Sequence, residues 1–283
     1  MNAPLRVGIV GGGLMGSGIA ETVAAAGHDV HVHEPIADAR AASLQRIVAS
    51  TERALAAGKL DAQSQKELLE RISYVDDLAG LADRELVIEA VLEDLTVKLD
   101  VFDRLQGHVS AEALLASNTS SIPIAELAGA LAAPERMIGL HFFSPAPVMR
   151  LVEVVPALDT SEHTLAAARS FVASLGKTAI TSPDRAGFVV NMLLVPYLVA
   201  AVRMLEEGFA TREDIDSAMV LGCGHPMGPL TLCDFIGLDV VCAVCDSLFE
   251  EFRRADFAAP PLLRRMRSAG RLGRKSGRGF YEY

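Results

Sequence analysis

The sequence has no apolar run long enough to cross a membrane. Its longest apolar stretch, MLLVPYLVAAV, covers residues 192–202 and contains Pro196, whereas a membrane-spanning helix needs about 20 apolar residues. The first apolar run begins at Leu5, which is too close to Met1 for a signal peptide to precede it. We therefore expect a cytoplasmic protein that does not interact with a membrane.

Cysteine is scarce. The four cysteines are Cys223, Cys233, Cys242 and Cys245. The last two form a CxxC pair that could be redox-active, but they lie in LDVVCAVCDSLFEEF, which has a helical pattern, and no thioredoxin-like strand precedes them. We favour packing in a core for this pair, and we predict no metal site.

Positive charge is also in deficit, because the net charge is −10. This argues against general binding of nucleic acid. The charge is uneven, since residues 264–283 carry a net +6. This basic tail is either a solvated face or a docking patch for an anion. Its basic residues are Arg264, Arg265, Arg267, Arg271, Arg274, Lys275 and Arg278.

What the sequence does contain is an alternation of strand and helix patterns. Short apolar runs such as RVGIV, DVHVHE, ELVIEAV and MIGLHFF are separated by segments with helical spacing. After SPDRAGF the pattern becomes wholly helical, with predicted helices over Phe188–Glu207, Arg212–Leu221 and Leu238–Phe252. We predict an α/β protein with a Rossmann-type doubly wound sheet domain (residues 1–184) followed by an all-helical C-terminal domain (residues 185–283).

A glycine-rich turn, GGGLMG, follows the first predicted strand. Gly11, Gly13 and Gly16 form GxGxxG around Leu14 and Met15. Gly11 would permit the tight turn, Gly13 the close approach of a pyrophosphate, and Gly16 the close packing of helix on strand. The turn opens a helix whose N-terminus favours phosphate. This context predicts a dinucleotide site.

Glu34 ends the second predicted strand, 18 residues after Gly16. Its carboxylate can accept hydrogen bonds from ribose hydroxyls, and it would repel a 2′-phosphate. We therefore expect NAD as the cofactor and not NADP. The alternative is an ordinary solvated strand end.

A histidine and a carboxylate interrupt the apolar segment GLHFFSPAPVMRLVEVV. His141 and Glu153 each lie six residues from Pro147. If the segment folds back at SPAP, the two side chains lie opposite each other on antiparallel strands. A carboxylate on one imidazole nitrogen leaves the other as a base, which suits a dehydrogenase. A purely structural pair is the alternative.

Two further polar features have two interpretations each. SNTSS (Ser117–Ser121) follows a strand and would either line a ligand site or cap the helix begun by IPIAEL. Asn191 lies in the apolar helix GFVVNMLLVPYL, where its amide needs the helix backbone or a ligand as a partner.

Together these motifs resemble the short, monofunctional 3-hydroxyacyl-CoA dehydrogenases, especially the bacterial 3-hydroxybutyryl-CoA dehydrogenases. The resemblance covers essentially the whole chain and includes GGGLMGSGIA, VIEAVLEDLTVK, ASNTSSIPI, GHPMGPLTLCDFIGLD and GRKSGRGFY. It implies a dinucleotide-binding domain, then a helical domain that forms a homodimer. The implied reaction interconverts a (3S)-3-hydroxyacyl-CoA and a 3-oxoacyl-CoA with NAD.

The resemblance also assigns roles to matching positions. His141 resembles the catalytic base and Glu153 its orienting carboxylate, while Ser120 and Asn191 resemble groups that hydrogen-bond the substrate oxygens. The positions that resemble cofactor contacts are Glu93, Lys98 and Asn118.

Three positions depart from the family pattern. Ser144 replaces the usual Asn beside the catalytic His, Ala186 replaces a Pro, and Met192 replaces an Arg. Ser144 is the substitution nearest the chemistry, and we expect it to influence substrate binding.

Three other functions are compatible with the pattern. One is a dehydrogenase of the same family that acts on an acyl-carrier-protein thioester. Another is the related branch that oxidises sugar acids, against which HFFSP argues. The third is a non-catalytic NAD-binding structural protein like the eye-lens members, and retention of Ser120, His141, Glu153 and Asn191 argues against it.

Overall fold

The computed structural model describes residues 4–283, which divide into two compact units. The sheet unit ends at Asp184, and the helical unit is Arg185–Tyr283. In the described part of the chain, eight strands and six α-helices belong to the sheet unit, and five α-helices belong to the helical unit.

The sheet unit follows the predicted alternation. Its strands are β1 (Arg6–Val10), β2 (Asp29–His33), β3 (Ile72–Val75), β4 (Leu86–Glu89), β5 (Leu114–Ser117), β6 (Met137–Phe142), β7 (Leu151–Pro156) and β8 (Thr178–Thr181). Its helices are α1 (Leu14–Ala25), α2 (Ala37–Ala56), α3 (Ala62–Glu70), α4 (Leu95–Gln106), α5 (Ile124–Ala128) and α6 (Glu162–Ser174).

The eight strands form one sheet in the order β3-β2-β1-β4-β5-β6-β7-β8. All neighbours are parallel except β6 and β7. The first six strands have the Rossmann order, in which ligands bind at the carboxyl edge where the order reverses, between β1 and β4. The prediction of a Rossmann-type sheet followed by a helical region is confirmed.

Strand β3 was not predicted from the sequence. Ile72–Val75 is only four residues long, and its burial follows no strict alternation because it lies at the edge of the sheet. A run this short lacks the periodicity that identifies a strand.

Helix α5 also differs from expectation, because SNTSS does not cap it. Pro123 is at the N-cap position, and no side-chain hydrogen bond is formed there. The backbone N–H groups of Ile124 and Ala125 instead donate to the carboxylate of Asp184, each at 2.7 Å. A carboxylate sixty residues away therefore satisfies the start of this helix.

Glu21 is a buried carboxyl group on α1 that faces α2. Ser50 Oγ donates to its Oε1 at 2.9 Å. Burial raises the pKa of Glu21 to about 7, although Ser50 and Arg53 partly oppose the increase. Because the folded-state pKa lies above the unfolded value, this group favours folding below pH 4.5, and its contribution falls as the pH rises from 4.5 to 7.

We expect Glu21→Gln to stabilise the protein at pH 8, by on the order of 2 kcal/mol, and to change little at pH 4.5. The substitution removes a charge that is costly to bury and keeps the shape of the side chain. Thermal unfolding at both pH values measures the effect, and Glu52→Gln on the exposed face of α2 is the control. An equal shift at both pH values would contradict the assignment.

The helical unit contains five helices around its own core. They are α7 (Val190–Glu206), α8 (Arg212–Cys223), α9 (Pro229–Ile236), α10 (Leu238–Phe252) and α11 (Pro261–Ser268). Helices α9 and α11 were not predicted. Each has only eight residues and begins with proline, so the residue that marks a helix start also resembles a chain break.

The cysteines have the places expected of core residues. Cys233, Cys242 and Cys245 are fully buried in the core of the helical unit, whereas Cys223 is exposed. Burial raises the pKa of the Cys245 thiol to about 12. All four are free thiols, and the interpretation of Cys242 and Cys245 as packed side chains is confirmed.

The basic tail lies against acidic residues of its own unit. Arg264 pairs with Asp246 at 2.5 Å, and Lys275 pairs with Asp239 at 2.5 Å. Arg274 lies over the rings of two aromatic residues, at 5.5 Å from Phe235 and 5.1 Å from Tyr283. Part of the positive charge is therefore neutralised locally, which favours the interpretation of the tail as a solvated face.

Among residues 4–283, no helix has both the length and the apolar composition needed to cross a membrane.

Candidate active site

The glycine turn packs tightly at the carboxyl edge of β1. Gly11 has φ of +100°, and a Cβ there would lie 2.8 Å from the Ala90 carbonyl oxygen in the loop after β4. A Cβ on Gly16 would overlap the Gly11 carbonyl oxygen, whereas one on Gly13 would meet nothing within 4 Å. Gly11 and Gly16 thus permit the fold of the turn, and Gly13 leaves open space beside it.

The start of α1 fits a phosphate group. Gly13 is the N-cap, no side chain caps the helix, and its first turn contains no acidic residue. Leu14 is 69% exposed at this end. Backbone N–H groups at an uncapped helix start can donate to a pyrophosphate, so these residues fit a dinucleotide.

Glu34 lies immediately after β2, beside the glycine turn. Its Oε2 accepts a hydrogen bond from Gly12 N at 3.0 Å, and its Oε1 accepts one from Ile36 N at 3.3 Å. Arg46, which the sequence did not single out, donates to the Gly12 carbonyl oxygen at 2.5 Å. The carboxylate therefore has a fixed place next to the proposed nucleotide site.

His141 and Glu153 are directly opposite each other in the antiparallel pair β6–β7. His141 Nδ1 lies 2.7 Å from Glu153 Oε2. Glu153 is fully buried and His141 is 6% exposed, and the His141 ring lies 4.5 Å from the Phe143 ring, centroid to centroid. The predicted register is confirmed.

Glu93 accepts hydrogen bonds from several residues of the polar loop that follows β5. Its Oε1 lies within 2.7–3.2 Å of hydroxyl and backbone donors of Thr119, Ser120 and Ser121. Its Oε2 lies 3.2 Å from Lys98 Nζ. Burial opposes ionisation of Glu93, but the Lys98 ammonium and these donors outweigh it and lower its pKa.

Asn118 links the same loop to β6. Its side-chain oxygen accepts a hydrogen bond from Phe142 N at 2.9 Å, one residue beyond His141. The sheet unit therefore brings Glu93, Lys98, Asn118 and Ser120 to the carboxyl edges of β4, β5 and β6.

Two predicted substrate contacts lie outside these hydrogen-bonded clusters. Ser144 is exposed in the turn between β6 and β7. Asn191 is half-buried in the first turn of α7, within the helix that the sequence predicts there.

Glu89 was missed by the sequence analysis. It is fully buried at the end of β4, 2.6 Å from Lys98 Nζ. The signal was the same as for Glu153, a single carboxylate in an otherwise apolar strand.

This sheet, with its glycine turn and acidic strand end, has the features of a dinucleotide-binding domain. The chain belongs to the 3-hydroxyacyl-CoA dehydrogenase family. The NAD-binding domain of that family matches residues 6–185, and its C-terminal domain matches residues 187–283.

Individual relatives agree with this membership. A 3-hydroxybutyryl-CoA dehydrogenase of Mycobacterium tuberculosis is 52% identical over 98% of both chains. The human mitochondrial hydroxyacyl-coenzyme A dehydrogenase is 40% identical over 98% of this chain and 91% of its own. The crystal structure of (S)-3-hydroxybutyryl-CoA dehydrogenase from Ralstonia eutropha has a TM-score of 0.94 at 40% identity, over 99% of both chains.

Proposed function

We propose that this protein interconverts (3S)-3-hydroxybutyryl-CoA and acetoacetyl-CoA with NAD. Its family membership supports the 3-hydroxyacyl-CoA class of substrate. The four-carbon acyl group is proposed from its 52% identity to a relative named 3-hydroxybutyryl-CoA dehydrogenase.

The hydrogen bond between His141 and Glu153 carries the proposal. A buried carboxylate 2.7 Å from Nδ1 favours the tautomer with a proton on that nitrogen. Nε2 then has the lone pair and can remove the proton of a substrate hydroxyl. In the reverse direction the imidazolium, stabilised by Glu153, returns that proton to the keto oxygen.

The remaining polar groups would hold the substrate and the cofactor. When bound, NAD supplies the acceptor for the hydride that leaves carbon 3. We propose that Ser120 and Asn191 hydrogen-bond the hydroxyl and thioester oxygens, and that Ser144 borders the acyl group. The cofactor contacts proposed here are Gly11, Gly13, Leu14, Met15, Gly16, Glu34, Glu93, Lys98 and Asn118.

We propose that the acyl group is carried as a thioester of coenzyme A. A thioester of an acyl carrier protein is the alternative. An acidic carrier would need exposed positive charge on the enzyme. Arg264, Lys275 and Arg278 of the basic tail each pair with an acid of the same unit, which leaves less charge for such a partner.

We expect the protein to oxidise NADH with acetoacetyl-CoA, at a rate that changes little with salt. Ser144→Asn, which restores the amide usual in the family, should preserve or raise this activity. The assay compares both proteins on acetoacetyl-CoA and on an acetoacetyl carrier protein at two salt concentrations. Turnover of the carrier ester alone, with strong salt dependence, would assign the tail to protein docking.

We also propose that the chain has an NAD-binding domain of residues 1–184 and a second domain of residues 185–283 that serves in substrate binding and dimerisation. In this proposal two copies of the chain form a homodimer through residues 185–283. Large apolar side chains of the helical unit are exposed, among them Leu193 (73%), Phe209 (78%) and Leu221 (85%). Exposed apolar residues of this size suit an interface between subunits. The cytoplasmic location remains a prediction.

Light scattering at micromolar concentration should give about twice the chain mass of 30.1 kDa. Leu221→Glu should shift the protein toward a monomer, because it places a charge at the proposed interface. Leu158→Glu is the control, since Leu158 is 90% exposed in the sheet unit. A wild-type monomer would count against the assembly.

A further inference from the structure

A buried ion pair lies beneath the candidate cofactor site. The Lys98 ammonium is 2.6 Å from Glu89 Oε1, and the two side chains are 1% and 0% exposed. Such a pair is costly to desolvate and holds its geometry only when further hydrogen bonds complete it.

Both carboxylate oxygens of Glu89 accept such further hydrogen bonds. Its Oε1 also accepts from Val91 N at 2.7 Å, and its Oε2 accepts from Ser117 Oγ at 2.6 Å. Glu89 and Ser117 are the facing last residues of β4 and β5. Glu89 therefore ties two strand ends to the first turn of α4, which contains Lys98.

Lys98 transmits this constraint to Glu93. Its ammonium has three N–H donors, and the Glu89 and Glu93 carboxylates take two of them. The Glu93 side chain is 36% exposed, so it reaches the surface whereas Glu89 and Lys98 do not. The donors of Thr119, Ser120 and Ser121 meet at its other oxygen.

An oxygen has two lone pairs, so these several donors cannot all form strong bonds to Glu93 Oε1 at once. The contact of Lys98 with the other oxygen, Oε2, is a second constraint on how the carboxylate is turned toward the loop. An ammonium displaced from this position would turn the Glu93 carboxylate away from the orientation it has in this structure.

We propose that Glu89 is a positioning residue for cofactor binding, which acts by holding Lys98 and, through Lys98, the carboxylate of Glu93. The proposal rests on the proposed place of Glu93 at the cofactor. It does not depend on the identity of the thioester, because NADH binding is measurable without turnover.

The test is the dissociation constant for NADH, measured by fluorescence titration of the folded protein. Glu89→Gln keeps the shape of the side chain and removes its charge, and we expect NADH to bind about tenfold more weakly, the loss typical of one charge-assisted hydrogen bond. The KM for acetoacetyl-CoA should change less than threefold. Glu85→Gln is the matched control, since Glu85 precedes the same strand on the surface and accepts a bond from Arg6.

A double-mutant cycle separates positioning from general stability. If Glu89 acts through Lys98, adding Lys98→Met to Glu89→Gln should weaken NADH binding no further than Lys98→Met alone. The double variant leaves no charge of the pair unbalanced, so it remains testable where Glu89→Gln does not fold. Wild-type NADH binding in either folded variant would overturn the proposal, as would equal weakening of NADH and thioester binding with a large fall in Tm. If wild type binds NADH without reducing acetoacetyl-CoA, only the substrate assignment fails.

Discussion

Replacing His141 by alanine should lower kcat by about 10²–10⁴-fold while NADH still binds. This range is what a positioned acid–base group contributes. His141 is not among the proposed cofactor contacts, so the loss should be confined to the chemical step. Steady-state kinetics with acetoacetyl-CoA and an NADH fluorescence titration measure the two effects.

Glu153→Gln should also lose most of the turnover, for a different reason. The amide has nearly the shape of the carboxylate, but it has no charge to stabilise an imidazolium and can present an N–H to Nδ1. His163→Ala is the control, because His163 is exposed on α6. Near wild-type turnover by a folded His141→Ala protein would end this mechanism.

The second large effect is cofactor preference, for which we expect kcat/KM to be about 5–150-fold higher with NADH than with NADPH. A 2′-phosphate would meet the Glu34 carboxylate, which the Gly12 and Ile36 N–H groups hold in place. Like charges in a partly buried site cost about 1–3 kcal/mol.

Glu34→Gln should narrow this preference, and Asp38→Asn should leave it unchanged. Asp38 is an exposed carboxylate in the first turn of α2, so it tests whether any nearby negative charge is sufficient. Equal or better efficiency of the wild type with NADPH would remove the role given to Glu34.

The sequence predicted those parts of the site that depend on neighbours along the chain. The GxGxxG turn lies between β1 and α1. His141 and Glu153 are twelve positions apart with one turn between them, so counting from Pro147 was enough to place the two opposite each other. Both features depend on nearly continuous sequence, because the glycine turn joins two successive elements and one connection around SPAP joins β6 to β7.

The parts that were missed depend on the path of an irregular loop or on contacts between distant segments. The approach of Lys98 to Glu89 depends on the path of the loop after β4, and the contact of Asp184 with the start of α5 spans sixty residues. Near that helix the sequence offers serines and an asparagine as plausible caps. Only the folded chain shows that a remote carboxylate takes their place.

Because three of its four thiols are buried, the helical unit should reveal any transient opening of its core through the labelling of those thiols. A maleimide or iodoacetamide reagent needs an accessible thiolate, and Cys223 is the exposed cysteine among the four. One label per chain therefore corresponds to a closed unit. Each further label on Cys233, Cys242 or Cys245 would record a transient opening of the helical core, so mass spectrometry could follow that motion without an engineered probe.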